Sequence, residues 1–320
     1  MPVIDPSISL AGFLVGFVVG LTGMGGGALM TPLLVLVFGV EPLSAVSSDI
    51  VASLVMKPVG AAVHWRRGTV NRDLVKWLVL GSVPSAFLGV VALRQVDAGP
   101  ALQTLVKIAL GVALLVVATG LALRPLFAGA RSRQQPAPFV VRPLPTLLVG
   151  VLGGLIVGIT SVGSGSLIII MLLMLYPRLR LSELVGTDLA QAIPLVGAAA
   201  AAHMLFGQFH AGLTASILLG SVPGVFLGAQ LSARAPDLVI RPVLIVVLTA
   251  SALKLLGVGT SVTLTAAALV GAAGIAQSLY RRESAATRSR RTAAEAPQAD
   301  DLAPAIAEPA SPVSRPHATP

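Results

Sequence analysis

Two short stretches of this chain, Thr22-Gly23-Met24-Gly25-Gly26-Gly27 and Thr160-Ser161-Val162-Gly163-Ser164-Gly165, combine glycine with hydroxyl side chains. Glycine lacks a Cβ, tolerates positive φ and leaves backbone N–H groups open to a ligand. A helix that restarts after such a break points its positive end at whatever lies before it, so an anion gains both dipole and donors there. Two such ends facing one another would cradle a small anion, and Thr22, Thr160, Ser161 and Ser164 are the expected hydroxyl donors.

A few charged or titratable residues stand near these stretches. Lys57 lies in the middle of an apolar run and is followed by Pro58, where an ammonium is available to counter an anion. Ser48-Asp49 and Thr187-Asp188 each precede an apolar helix. Each carboxylate can be a helix cap or a coupling and gating group. Gln191 follows one turn after Asp188. His64 and His203 end two apolar runs and are candidates for a protonatable pair. Ser164 does not sit in a nucleophile elbow, because position 162 is Val162 rather than glycine. No phosphate-binding loop is present either. No enzymatic activity is expected, and no cofactor.

The elements that must hold these residues are membrane helices. The chain is 55% hydrophobic and 11% charged, and its apolar runs recur from residue 8 to residue 279. A bilayer core needs about 20 apolar residues per helix, and soluble cores do not require such runs repeatedly. With no cysteine and four histidines, disulfides and thiolate metal sites are excluded and a dedicated metal site is not expected. The net charge of +9 is assigned to basic loops on one membrane side rather than to nucleic-acid binding.

Eleven spans are predicted: Ile8–Leu21, Ala28–Phe38, Ile50–Val63, Leu74–Leu93, Leu102–Leu123, Leu144–Ile159, Leu167–Leu175, Leu189–Leu205, Leu213–Leu231, Val239–Leu256 and Val262–Leu279. The second and seventh are too short to cross alone, so each glycine stretch should break a hairpin inside the membrane. Nearly all loop lysines and arginines follow odd-numbered spans: Arg66, Arg67, Arg72 and Lys76; Arg124 to Arg142; Arg178 and Arg180; Arg234 and Arg241; Arg281 and Arg282. That side is expected to be cytoplasmic, with the N-terminus outside and the C-terminus inside.

The halves repeat. Gly81-Ser-Val-Pro-Ser-Ala-Phe-Leu-Gly89 returns as Gly220-Ser-Val-Pro-Gly-Val-Phe-Leu-Gly228, and at the same offset Asp49 falls on Asp188 and His64 on His203. Gly12, Gly16 and Gly20 fall on Gly150, Gly154 and Gly158, rows spaced for close helix packing. Five spans is an odd number, so the second copy should be inverted, with a site at the midplane. The expected fold is an all-α polytopic membrane protein of two inverted five-span repeats plus one extra helix. Its parts are a first repeat at 8–123, an Arg- and Pro-rich linker at 124–143, a second repeat at 144–257, an extra helix at 260–279 and a disordered cytoplasmic tail at 280–320.

Taken together, Gly20-Leu-Thr-Gly-Met-Gly-Gly-Gly27, Ser48-Asp49, the Gly81-Ser-Val-Pro block and their second copies resemble the TauE/SafE family of sulfite exporter-like membrane transporters, over roughly residues 8–257. The resemblance implies a secondary transporter of small anions such as sulfite, sulfonates or other sulfur-containing anions in a bacterial inner membrane. A proton or another co-ion is the available coupling partner, although an outward-moving anion already runs with an inside-negative potential. A passive anion channel and a non-transporting scaffold acting through its basic tail are the alternatives. The pattern carries no signal for oligomeric state.

Overall fold

The computed structural model describes residues 4–22, 26–66, 70–96, 99–129, 140–177, 179, 181–231, 237–274 and 276. Every regular element among them is a helix: α1 Pro6–Thr22, α2 Gly27–Leu36, α3 Pro42–Arg66, α4 Arg72–Leu93, α5 Pro100–Gly129, α6 Pro143–Thr160, α7 Leu167–Leu175, α8 Leu181–Phe206, α9 Ala211–Leu231, α10 Asp237–Leu255 and α11 Thr260–Gly274. Stretches within α4, α5, α6, α8 and α9 are long and apolar enough to cross a bilayer. The outward faces remain apolar, with Leu10, Leu14, Leu80, Leu88, Leu148 and Leu219 all more than half exposed. Such a surface suits lipid rather than water. The chain is a helical, multi-pass membrane protein. Residues 275–320 form a separate unit that, apart from Ala276, lies outside the described residues, as does the expected disordered tail.

α2 and α7 are 10 and 9 residues long. At 1.5 Å per residue each spans about 15 Å, half of a hydrocarbon core. α3 and α8 are longer than predicted, and this corrects a boundary. Ser48-Asp49 and Thr187-Asp188 do not cap helices but lie well inside α3 and α8. Polar residues at the edge of an apolar window look like a helix start. Here Asp49, Thr187 and Asp188 are buried and bonded to protein groups rather than to solvent, so the helix continues through them. α5 likewise continues through Gly129, into the stretch expected as linker.

The glycine rows are contact surfaces. α1 runs parallel to α9, and α6 runs parallel to α4, each pair meeting at consecutive turns. A Cβ on Gly12, Gly16 or Gly20 would meet the backbone of α9 near Ile217, Ser221 and Val225. One on Gly220, Gly224 or Gly228 would meet that of α1 at Ser9, Phe13 and Phe17. Gly150, Gly154 and Gly158 approach Leu78, Ser82 and Ala86 of α4 in the same way. Without a solvent-driven apolar force between helices in lipid, backbone approach of this kind supplies the packing energy. The duplicated Gly-Ser-Val-Pro block therefore serves one purpose twice: each copy packs against the first helix of the other half.

Hydrogen bonds fix which loops share an end. Gln103 Nε2, at the start of α5, donates to Glu41 Oε2 before α3 (3.2 Å) and to Gln208 Oε1 before α9 (3.1 Å). At the other end, the backbone N–H of Arg142, before α6, donates to the hydroxyl of Tyr176, after α7 (2.8 Å).

Candidate functional site

The break between α6 and α7 is the best-defined irregular backbone. Ser161 closes α6 in the left-handed region, with φ 62° and ψ −7°. Gly163 and Gly165 follow at φ 132° and 94°, conformations a side chain would strain. The first turn of α7 then hangs from one carbonyl, Leu167 N and Ile168 N both donating to Gly163 O at 2.9 and 3.2 Å. Gly165 N donates instead to Asp188 Oδ2 at 2.5 Å. The backbone N–H groups of Gly163 and Ser164 donate to no other group among the described residues.

Asp188 is a fully used carboxylate. Its other oxygen, Oδ1, accepts from Gln191 Nε2 at 2.8 Å, and Gln191 Oε1 accepts from Ser82 Oγ at 3.1 Å. The chain Ser82, Gln191, Asp188, Gly165 thus ties α4 through α8 to the break. All of it is buried.

Asp49, on α3, is bonded differently. Thr31 Oγ1 of α2 and Ser161 Oγ of the break both donate to its Oδ2, at 2.8 and 2.7 Å. Among the described residues its Oδ1 has no hydrogen-bond partner, although the residue is 0% exposed. That oxygen lies 3.7 Å from where a Cβ on Gly26 would stand, beside Ser53 Oγ at the same distance. Two turns along α3, Lys57 is 8% exposed, and its ammonium donates to Ser164 Oγ. It also interacts electrostatically with both Asp188 and Asp49. A buried ammonium held by a serine hydroxyl, with two carboxylates within electrostatic reach, is compatible with a helix interior only because of such partners.

The start of α2 meets the second break. A Cβ on Gly27 would collide with the carbonyl and hydroxyl of Ser161, so the start of α2 abuts the end of α6. Gly23 and Gly25 lie outside the described residues. Of the four expected hydroxyl donors, Thr22 Oγ1 bonds Val18 O at 2.9 Å and Thr160 Oγ1 bonds Ile156 O at 2.6 Å, each one turn back on its own helix. Ser161 bonds Asp49. Ser164 accepts from Lys57 and keeps its own proton to give.

His203 stands apart from this cluster. Its Nε2 lies 2.7 Å from Gly158 O, which can only accept, so Nε2 carries the proton and Nδ1 accepts from Ser47 Oγ at 2.8 Å. The buried ring ties α8 to α6 and α3. The side chain of His64, its repeat partner, lies outside the described residues. Sequence reasoning missed Thr31, Ser47 and Ser82. Ser82 had a signal, its place in the duplicated block; Thr31 is one hydroxyl in an apolar run and had none.

Near the start of α3 an open cleft of about 560 Å³ is lined by Val40, Glu41, Ser44, Gly207, Gln208, Phe209 and His210. Ser44 at its floor donates to Gln208 Oε1 at 3.2 Å. Five residues separate Ser44 from Asp49, about 7.5 Å along the axis of α3.

A lipid-facing helical exterior around a charged, buried cluster at two interrupted helices defines a multi-pass membrane protein with a polar interior. The family model described as "Sulfite exporter TauE/SafE" matches residues 8–255. The "Probable membrane transporter protein YjnA" of Bacillus subtilis (strain 168) is 42% identical over 254 residues, covering 78% of this chain and 99% of that protein. The "Probable membrane transporter protein YdhB" of the same organism is 24% identical over 236 residues, covering 73% and 93%. No solved structure matches the chain. This chain belongs to the TauE/SafE family of membrane transporters.

Proposed function

We propose that this chain is a secondary transporter of small sulfur-containing anions, sulfite and sulfonates first among them, in the bacterial inner membrane. The observation that carries the reading is the set of donors at the second break. Lys57 Nζ, the Ser164 hydroxyl proton and the backbone N–H groups of Gly163 and Ser164 stand together at the start of α7. A tetrahedral or pyramidal oxyanion offers acceptors in several directions and suits such a set. The family name points to the same chemistry. In this reading the chain acts as a carrier rather than an enzyme.

The architecture in this reading is two inverted five-helix repeats with α11 outside them. Three relations support it. The packing pairs are exchanged between halves, α1 with α9 and α6 with α4. α4 runs toward the end where Gln103, Glu41 and Gln208 meet, whereas its copy α9 departs from that end. In the sequence, lysines and arginines gather in the stretches that follow odd-numbered helices, the pattern expected of a cytoplasmic side. The cleft at Ser44 is then an approach from outside, and the cluster between Asp49 and Ser164 is the midplane site that inverted repeats build.

The test is flux. Purified full-length chain in liposomes should move labelled sulfite, thiosulfate or methanesulfonate with saturation and mutual competition. Absence of flux for every sulfur oxyanion and sulfonate would refute the substrate class, and flux that never saturates would make the chain a channel.

A further inference from the structure

The charges at the site do not suit an anion as they stand. With every group ionised, Asp49 and Asp188 would bring two negative charges against the single positive charge of Lys57, and all three are buried. The elements packed against α3 bring little else. α8 contributes Asp188, with Glu183 at its start and His203 toward its end; α5 contributes Lys107 and, toward its end, Arg124, whose side chain lies outside the described residues; α2 and α9 contribute no titratable residue. On α3 itself the others are His64 and the terminal Arg66. An anion entering this cluster would raise its formal charge from one negative to at least two, in a medium that screens poorly.

The two carboxylates differ in what they can accept. Both oxygens of Asp188 receive N–H donors: the backbone N–H of Gly165 cannot accept, and Gln191 could accept only by flipping its amide and reversing its bond with Ser82. Asp49 keeps one oxygen for two hydroxyls, which rotate freely, and presents the other bare and buried beside Gly26 and Ser53. A protonated carboxyl has this division, one oxygen accepting and one carrying hydrogen.

Resting on the transport reading above, we infer that each anion moves together with a proton carried on Oδ1 of Asp49. The proton comes from water on the side the anion enters, bonds to Oδ1 while the anion lies on Lys57 and Ser164, and returns to water on the far side. No covalent bond to the anion forms. A monoanion crossing this way carries no net charge, so its gradient and the proton gradient drive it and the membrane potential does not.

The experiment uses the full chain in liposomes containing a trapped pH dye, with potassium and valinomycin holding the potential at zero. Methanesulfonate and thiosulfate are the probes, because both stay ionised and cannot carry the proton themselves. Inward anion flux should acidify the lumen in the wild type. Asp49→Asn, a permanent stand-in for the protonated acid, should lose both acidification and pH-driven accumulation, the latter by at least about tenfold, and any counterflow it shows should no longer depend on pH. Wild-type uptake without acidification would overturn the proposal, as would acidification that persists in Asp49→Asn or a requirement for sodium in place of protons. If Asp49→Asn fails to fold, the wild-type result alone decides. Failure of all counterflow would instead remove the transport reading, and the proposal with it.

Discussion

Ser161 Oγ donates to Asp49 Oδ2 at 2.7 Å, joining the end of α6 in one half of the chain to the interior of α3 in the other. A carboxylate that would be costly alone in this interior is held by a hydroxyl whose backbone has already left the helix at φ 62°. Ser161→Ala removes that donor and leaves a bond only from Thr31. It should lower stability by about 1–3 kcal/mol, read as an earlier thermal transition of detergent-purified protein. An unchanged transition would mean the bond contributes nothing net.

The parallel glycine seams make a steeper prediction. Gly220→Leu places side-chain atoms on the carbonyl of Ser9, and Gly154→Leu does the same at Ser82. Because the obstacle is backbone, neither helix can yield without separating the halves. Both variants should fail to give monodisperse protein on gel filtration. Leu at Gly259, where a Cβ meets nothing within 4 Å, should be tolerated and serves as the control.

His203 spans three helices through two hydrogen bonds. His203→Phe fills similar space but leaves Ser47 Oγ and Gly158 O without it, a cost of about 1–3 kcal/mol for each unsatisfied group. His203→Gln retains a donor and an acceptor and should recover part of the loss. Equal melting temperatures for the two variants would contradict this assignment.

Topology is checked separately. Reporter fusions after Arg67 and after Gln208 should report opposite sides of the membrane, the first cytoplasmic. Both on one side would break the inverted arrangement and with it the midplane placement of the site.

Much of this was legible in the sequence because it was written twice. The break at Gly163 to Gly165, the pair Asp49 and Asp188, and the glycine rows all stand out once the halves are aligned. What stayed hidden follows from the same duplication. Position 52, the counterpart of Gln191, is Ala52, so Ser82 finds a partner while its copy Ser221 is buried without one. Such differences between equivalent positions depend on which helices touch, and a one-dimensional pattern does not contain that. The true starts of α3 and α8 were hidden for a related reason, since a polar residue satisfied by another helix looks like a helix end when read alone.

The central claim is that an anion binds where Lys57 meets Ser164, and affinity measures it directly. Lys57→Met keeps length and apolar packing and removes the charge. A charge-assisted bond contributes about 1.5–3 kcal/mol, so the variant should bind sulfite or methanesulfonate roughly 10- to 150-fold more weakly than wild type by equilibrium titration of purified protein. Equal affinity in the two proteins would contradict the site.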